Sequence, residues 1–202
     1  MTQKRRRKRR ARRMLRLIQA ATIAVLVLGI VAVGGWMIWE RRQDLTITTY
    51  PLEYQDLIRK YAGENELEPA YVASVILAES SYRAEAVSSV NAQGLMQILP
   101  STGEWIAGKF GETYVEGCLF DPETNIRYGC WYLGFLMRRY GGDMRCASAA
   151  YHQGQGTVDK WLADPVFSSD GKTLDKFDSK VTETYVNRIL KYYEKYEELY
   201  AA

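Results

Sequence analysis

Between Arg16 and Glu40 runs LIQAATIAVLVLGIVAVGGWMIW, with no charged side chain in it. At about 23 residues the stretch is long enough to cross a hydrocarbon core of roughly 30 Å as an α-helix. No small packed core needs an apolar run of that length, so this segment divides the chain before anything else does. Residues 1–16 become a basic tail, 17–39 a single transmembrane helix, 40–50 a polar linker, and 51–202 the body. Trp36 and Trp39 stand at one end of the span, where interfacial aromatics belong, and Arg41 and Arg42 follow. Ten of the 27 Lys and Arg residues lie at or before Arg16. That bias predicts a single-pass protein in the cell membrane, its N-terminus cytoplasmic and its body exported toward the cell wall. From Tyr50 onward the balance reverses, with 15 Lys and Arg against 22 Asp and Glu, a net of −7. The overall +3 therefore averages two unlike parts. A basic tail beside a membrane span reads as a topology determinant attracted to membrane lipid, so nucleic acid is not an expected partner. The rival is a cleaved signal peptide, but its apolar region would be only about 7–15 residues, and VAVGG is a weak cleavage site.

The body has the length of one domain with one core. Its patterning is helical. Helices are predicted over Pro51 to Ala62, ended by Gly63, and over Pro69 to Ser80. A third covers Ser101 to Phe110 with Ser101 as N-cap, and a longer one carries Ile126, Cys130, Leu133, Leu136, Met137 and Tyr140 and closes at Gly141-Gly142. Asp143 is placed to cap the next helix, through Ala150. The last contains Tyr185, Ile189, Tyr192, Tyr193, Tyr196, Leu199 and Tyr200 at helical spacing. AVSSVNAQG, GETYVEGCLFDPET and FSSDGKTLDKFDS read as loops. The expected fold class is all-α.

Three cysteines, Cys118, Cys130 and Cys146, lie in the part expected outside the cytoplasm, where a disulfide persists. Cys118 in a loop and Cys130 one turn into a helix form the preferred pair, and Cys146 reads as a small core residue. Three reduced, buried cysteines are the alternative. With one histidine and no cysteine pair at zinc-ligand spacing, no metal site is expected.

No phosphate-cradling loop of the P-loop kind and no G-x-S-x-G elbow occurs, and a nucleophile–His site would have only His152 to use. The informative position is Glu79. Val72, Val75, Ile76 and Glu79 recur at i, i+3, i+4 and i+7 of the helix opened by Pro69, so a carboxyl shares the apolar face. Burial and the negative end of the helix dipole both disfavour its ionised form and raise its pKa. A carboxylic acid kept protonated near neutrality is what glycosidic cleavage needs to protonate a leaving oxygen. From spacing alone, a glutamate turned out to solvent or paired with an arginine explains the position as well.

ILAESSYRAEAVSSVNAQGLMQILPSTGEWIA resembles the soluble-lytic-transglycosylase domain family, which is related to goose-type lysozymes. Glu79, Ser80, Gly94, Leu95, Met96, Gln97, Ile98, Pro100 and Thr102 match its pattern of a Glu-Ser at a helix end followed by G-L-M-Q-I-x-P-x-T. AAYHQGQGTVDKWL is similar to the family's A-Y-N-x-G-x-G-x-V segment, and TETYVNRILKYYEKY to its closing E-T-x-x-Y-V helix. The resemblance implies a lysozyme-like helical domain that cleaves the β-1,4 bond between N-acetylmuramic acid and N-acetylglucosamine in peptidoglycan glycan strands. It implies one catalytic carboxyl, Glu79, acting first as acid and then as base while the sugar's own C6 hydroxyl attacks, with no cofactor. It places Ser80, Met96, Gln97, Tyr151, His152 and Tyr185 at the substrate. Two positions depart from the pattern. The Asn after the tyrosine is His152, a titratable group near the acid, and the Glu four residues before Tyr185 is Val181, with Glu183 two positions off register.

A hydrolysing muramidase of the same fold would need a second carboxylate, for which Glu85, Glu104, Asp121 and Glu123 are the candidates. A wall-binding scaffold without activity would not need the acid. An anchored wall-opening enzyme would suit a secretion or cell-wall assembly complex as partner.

Overall fold

The computed structural model describes Met14, residues 28–29, residues 31–37 and residues 49–201. The chain divides into two units, Met1–Thr49 and Tyr50–Ala202. In the first, residues 31–37 are helical, and Leu28, Val31, Val33, Trp36 and Met37 each expose more than half of their surface. Among the described residues no helix is long and apolar enough to cross a membrane. The expected basic tail, most of the expected span and most of the linker lie outside the described residues.

The second unit is helical throughout, with only isolated bridges pairing Val87 with Gln93 and Gln93 with Ile98. In chain order the helices are α1 (Gln55–Glu64), α2 (Pro69–Ser80), α3 (Pro100–Phe110), α4 (Pro122–Arg139), α5 (Met144–Gln153), α6 (Gln155–Ala163) and α7 (Lys180–Ala201). A 3₁₀ turn, Cys118–Phe120, leads into α4. Three helices open on a proline at their first position, where its missing N–H costs nothing and its fixed φ suits the helix. This explains the start of α2 at Pro69, and it also corrects the third helix. The extended Leu99 holds the cap position, Pro100 follows, and Ser101 lies exposed inside the first turn without capping. The first helix begins at Gln55, four residues later than expected, after Tyr54 in a left-handed conformation. Asp143 caps α5 as its position implies, accepting from the Cys146 N–H at 2.7 Å. Asp121 does the same for α4 through Thr124, which extends that helix back by a turn. The α6 helix was not expected; Gly154, at φ +87°, makes the corner that separates it from α5.

Every residue of α2 from Ala70 to Ile76 is buried, so Val72, Val75 and Ile76 are part of a helix enclosed on all sides. Its most extensive packing is against α7, whose Val186, Ile189 and Tyr196 are buried. Tyr71 crosses to α5 and shares a 2.8 Å hydrogen bond with Ser148 Oγ. The result is one core around α2, with the C-terminal end of that helix at its margin.

All three cysteines are free thiols, so the expected Cys118–Cys130 bridge is not formed. Cys130 is fully buried, as is Cys146. Cys118 is half-buried in the 3₁₀ turn, outside the helix that encloses Cys130 in the core. Burial pushes the Cys130 thiol well above its ordinary pKa.

Candidate active site

Glu79 is the penultimate residue of α2, and the chain leaves that helix abruptly. Ser81 and Tyr82 are both left-handed, at φ +52° and +62°, an uncommon conformation for non-glycine residues and more so for two in succession. The turn carries the following loop back across the helix end and leaves the Glu79 side chain half-buried in the last turn. There Oε1 accepts a hydrogen bond of 2.5 Å from the Tyr185 hydroxyl of α7. Glu79 is raised to a pKa of about 7, chiefly by burial, while the Tyr185 hydrogen bond and the Arg188 charge act against the rise. The helix dipole acts in the direction of burial. A carboxyl raised into this range can give and take back a proton near neutral pH without a large free-energy change.

Tyr185 holds the acid on one side and carries His152 on the other, the two rings lying 4.5 Å apart and 17° from parallel. The Arg188 guanidinium sits 5.9 Å from the centre of the Tyr185 ring, one helical turn along α7. Burial against this cluster and the Arg188 charge hold the imidazole below its usual pKa. Both influences favour the neutral imidazole and so oppose the electrostatic conflict that a charged His152 would bring. Tyr151 lies near enough for the Glu79 charge to bear on its phenol, and its hydroxyl donates to the Met96 carbonyl at 2.8 Å.

The loop carrying Met96 and Gln97 is fixed from below by Asn125 of α4. The Asn125 Oδ1 accepts from the Met96 N–H at 2.7 Å, and Nδ2 donates to the carbonyls of Gln93 and Leu119 at 2.9 and 2.7 Å. Gln97 is left-handed at φ +48°, half-buried, and its side-chain amide donates to the carbonyls of Ala86 and Gly94. Met96 differs from the expectation that its thioether lines the groove. It is fully buried, and its side chain fills the space left by Gly129, where any Cβ would collide with it. Only its backbone faces the Tyr151 hydroxyl. Ser80 is buried as well, its hydroxyl donating back to the Ile76 carbonyl at 3.3 Å.

The candidate second carboxylates are engaged elsewhere or open to solvent. Asp121 caps α4, and Glu123 pairs with Lys60 and accepts from the Tyr61 hydroxyl. Glu85 and Glu104 are exposed. Val181 is exposed and Glu183 pairs with Lys180, so neither stands in for the Glu of the family pattern. A cavity of about 590 Å³ lies between the end of α4 and the 170–173 turn, lined by Asp143, Asp170 and Lys172 among others, and includes none of the residues around Glu79. Arg188 and Asn125 were not singled out from sequence. The first could have been found from its place one turn beyond Tyr185, whereas nothing in the sequence distinguishes Asn125 from a surface asparagine.

A family model described as the transglycosylase SLT domain matches residues 56–172. The soluble lytic murein transglycosylase of Escherichia coli K12 is 31% identical over 158 residues, covering 77% of this chain and 24% of that protein. The membrane-bound lytic murein transglycosylase C of Serratia proteamaculans is 33% identical over 134 residues, covering 58% of this chain and 34% of the relative. The crystal structure of the 70 kDa soluble lytic transglycosylase of Escherichia coli superposes with a TM-score of 0.66 at 32% identity, over 74% of this chain and 25% of that one. A complex of the 70 kDa soluble lytic transglycosylase with bulgecin A gives 0.67 at 31%, over 76% of this chain and 25% of that one. The chain spans about a quarter of the length of the first of these relatives. With the family match covering more than half of its residues, and the all-helical body superposing on those structures, the chain belongs to the transglycosylase SLT domain family.

Proposed function

We propose that the body is a peptidoglycan lytic transglycosylase in which Glu79 is the only acid–base group. The observation that carries this reading is the carboxyl at the end of α2, half-buried, bonded to Tyr185 and raised to a pKa of about 7. The protonated carboxyl gives its proton to the oxygen linking N-acetylmuramic acid to N-acetylglucosamine, and the bond from that oxygen to the anomeric carbon breaks. The C6 hydroxyl of the muramic acid residue then bonds to the anomeric carbon and returns its proton to Glu79, leaving a 1,6-anhydro end. An intramolecular nucleophile has a large effective concentration, so no second carboxylate is required. The engagement of Asp121 and Glu123 elsewhere favours this over water-based hydrolysis. Gln97, Tyr151, His152 and Tyr185 are the side chains proposed to meet the glycan. Ser80 and the Met96 backbone support the site from beneath.

The N-terminal segment is proposed to anchor this body in the cell membrane, with the tail cytoplasmic. The helical turns at 31–37 and the exposed Leu28, Val31, Val33, Trp36 and Met37 suit a lipid-facing helix. Peptidoglycan digested with the full chain is expected to release fragments with anhydromuramoyl ends by mass spectrometry. Glu79→Gln should lower that release by at least about 10²-fold, in the range of a lost general acid. Reducing ends in place of anhydro ends would make the enzyme a muramidase, and intact glycan would make it a scaffold.

A further inference from the structure

From Tyr151 a run of aromatic rings leads away from the acid across α4 and α3. Tyr151 lies 5.5 Å from Tyr132, centroid to centroid, and Tyr132 lies 6.2 Å from Trp105. Phe135 joins Tyr132 and Trp131 with ring planes only 12° and 8° apart, so the α4 rings share one orientation. Trp105 of α3 meets all three steeply, at 68° to 88°. These rings are not closed into the core. Trp105 is 40% exposed, and Trp131, Tyr132, Phe135 and Tyr151 are all half-buried. A contiguous aromatic surface left open in this way marks a binding site more often than an accident of packing.

We propose that Trp105, with the α4 rings behind it, is a sugar-stacking ledge that extends the glycan track beyond the catalytic site. The inference rests on the transglycosylase reading and adds to it where the strand runs and which side chain grips it. Three observations choose a glycan as the occupant. The ledge is continuous with the site through Tyr151, whose hydroxyl donates to the Met96 carbonyl of the site loop at 2.8 Å. The rings offer apolar aromatic faces, which take the apolar face of a ligand without needing charge. The body's net charge of −7 opposes docking of the same face on anionic lipid. The Lys109 ammonium lies over the Trp105 ring, 5.5 Å from its centre, and suits the carboxylates that muramic acid carries in a peptide-free glycan.

The test uses the full chain in detergent with Glu79→Gln, which binds without turnover. Hydroxyl-radical footprinting with peptide-free glycan octasaccharides is expected to protect Trp105, while a muramoyl disaccharide leaves it unprotected. Trp105→Ala in the same background should weaken octasaccharide binding about tenfold and disaccharide binding less than threefold. Trp105→Phe, which keeps a ring against α4, should restore most of the loss. Unchanged footprinting at Trp105 with octasaccharide bound would overturn the ledge, whatever the variants do. So would protection by lipid vesicles or by raised protein concentration in the absence of glycan. Failure of the underlying reading is seen separately, as a wild-type chain that releases no anhydromuramoyl ends.

Discussion

A carboxyl that titrates near neutrality is sensitive to each neighbour, and Glu79 has two that pull its pKa down: the Tyr185 hydroxyl and the Arg188 charge. Removing either should raise the pKa further. Since the first step needs the protonated acid, activity falls as pH rises through about 7, and Tyr185→Phe or Arg188→Ala should move that alkaline limb upward. A pH–rate profile of anhydro-end release checks the direction, and a limb that stays in place or moves down contradicts the assignment. The same shift has a stability consequence. Glu79 is raised from 4.5 to about 7 in the folded chain, so its stabilising contribution is complete below about pH 4.5 and lost as pH rises through 7. Glu79→Gln should therefore stabilise the protein by up to about 3 kcal/mol at pH 8 and by little at pH 4, read as melting temperatures at the two pH values. Glu79 was legible because a charge at an apolar heptad position contradicts its surroundings. Ser80 and Met96 were not legible in the same way, because a motif names residues without saying whether a side chain or a backbone atom faces the groove.

At the level of elements, the helix starts that sequence located well are those where chemistry forces the start. Pro69 at N1 and Asp143 as N-cap were placed correctly, whereas Ser101 drew the boundary of α3 away from Pro100. The α6 helix, for which no expectation was set, follows α5 after a single corner at Gly154. The loop from Gln93 to Gln97 could not be read at all, since its shape depends on Asn125, some thirty residues further on. Asn125→Ala would strand the Met96 N–H and the Leu119 carbonyl in a buried setting, while the Gln93 carbonyl keeps its bond from the Ile98 N–H. At about 1–3 kcal/mol for each unsatisfied group, the loss should reach about 2 kcal/mol or more, measured as a lower urea midpoint. Because Gln97 hangs on the same loop, glycan affinity should fall along with stability. A full-stability variant would mean that the three hydrogen bonds are replaced by water.

For the molecule as a whole, the charge asymmetry and the apolar run make one argument. A body with a net charge of −7 gains nothing from an anionic surface, so the proposed attachment to a membrane would come from the N-terminal segment. Electrostatic attraction of the basic tail alone would be reversed by salt within a Debye length of about 8–10 Å, whereas a spanning helix resists both salt and alkali. The two are separated by a carbonate wash of membranes from cells making the full chain, which should leave the protein in the membrane fraction. Leu28 lies at the middle of the proposed 17–39 span and Val31 one turn further, and both side chains are exposed. Replacing both with lysine costs about 5–7 kcal/mol of insertion free energy at the helix centre, at about 2.5–3.5 kcal/mol for each residue. Leu28→Lys/Val31→Lys should therefore shift the chain into the soluble fraction while the purified protein still releases anhydromuramoyl ends. Retention of the double variant after the carbonate wash would exclude a spanning helix at 17–39, and wild-type protein washed off by salt would reduce the tail to a peripheral contact.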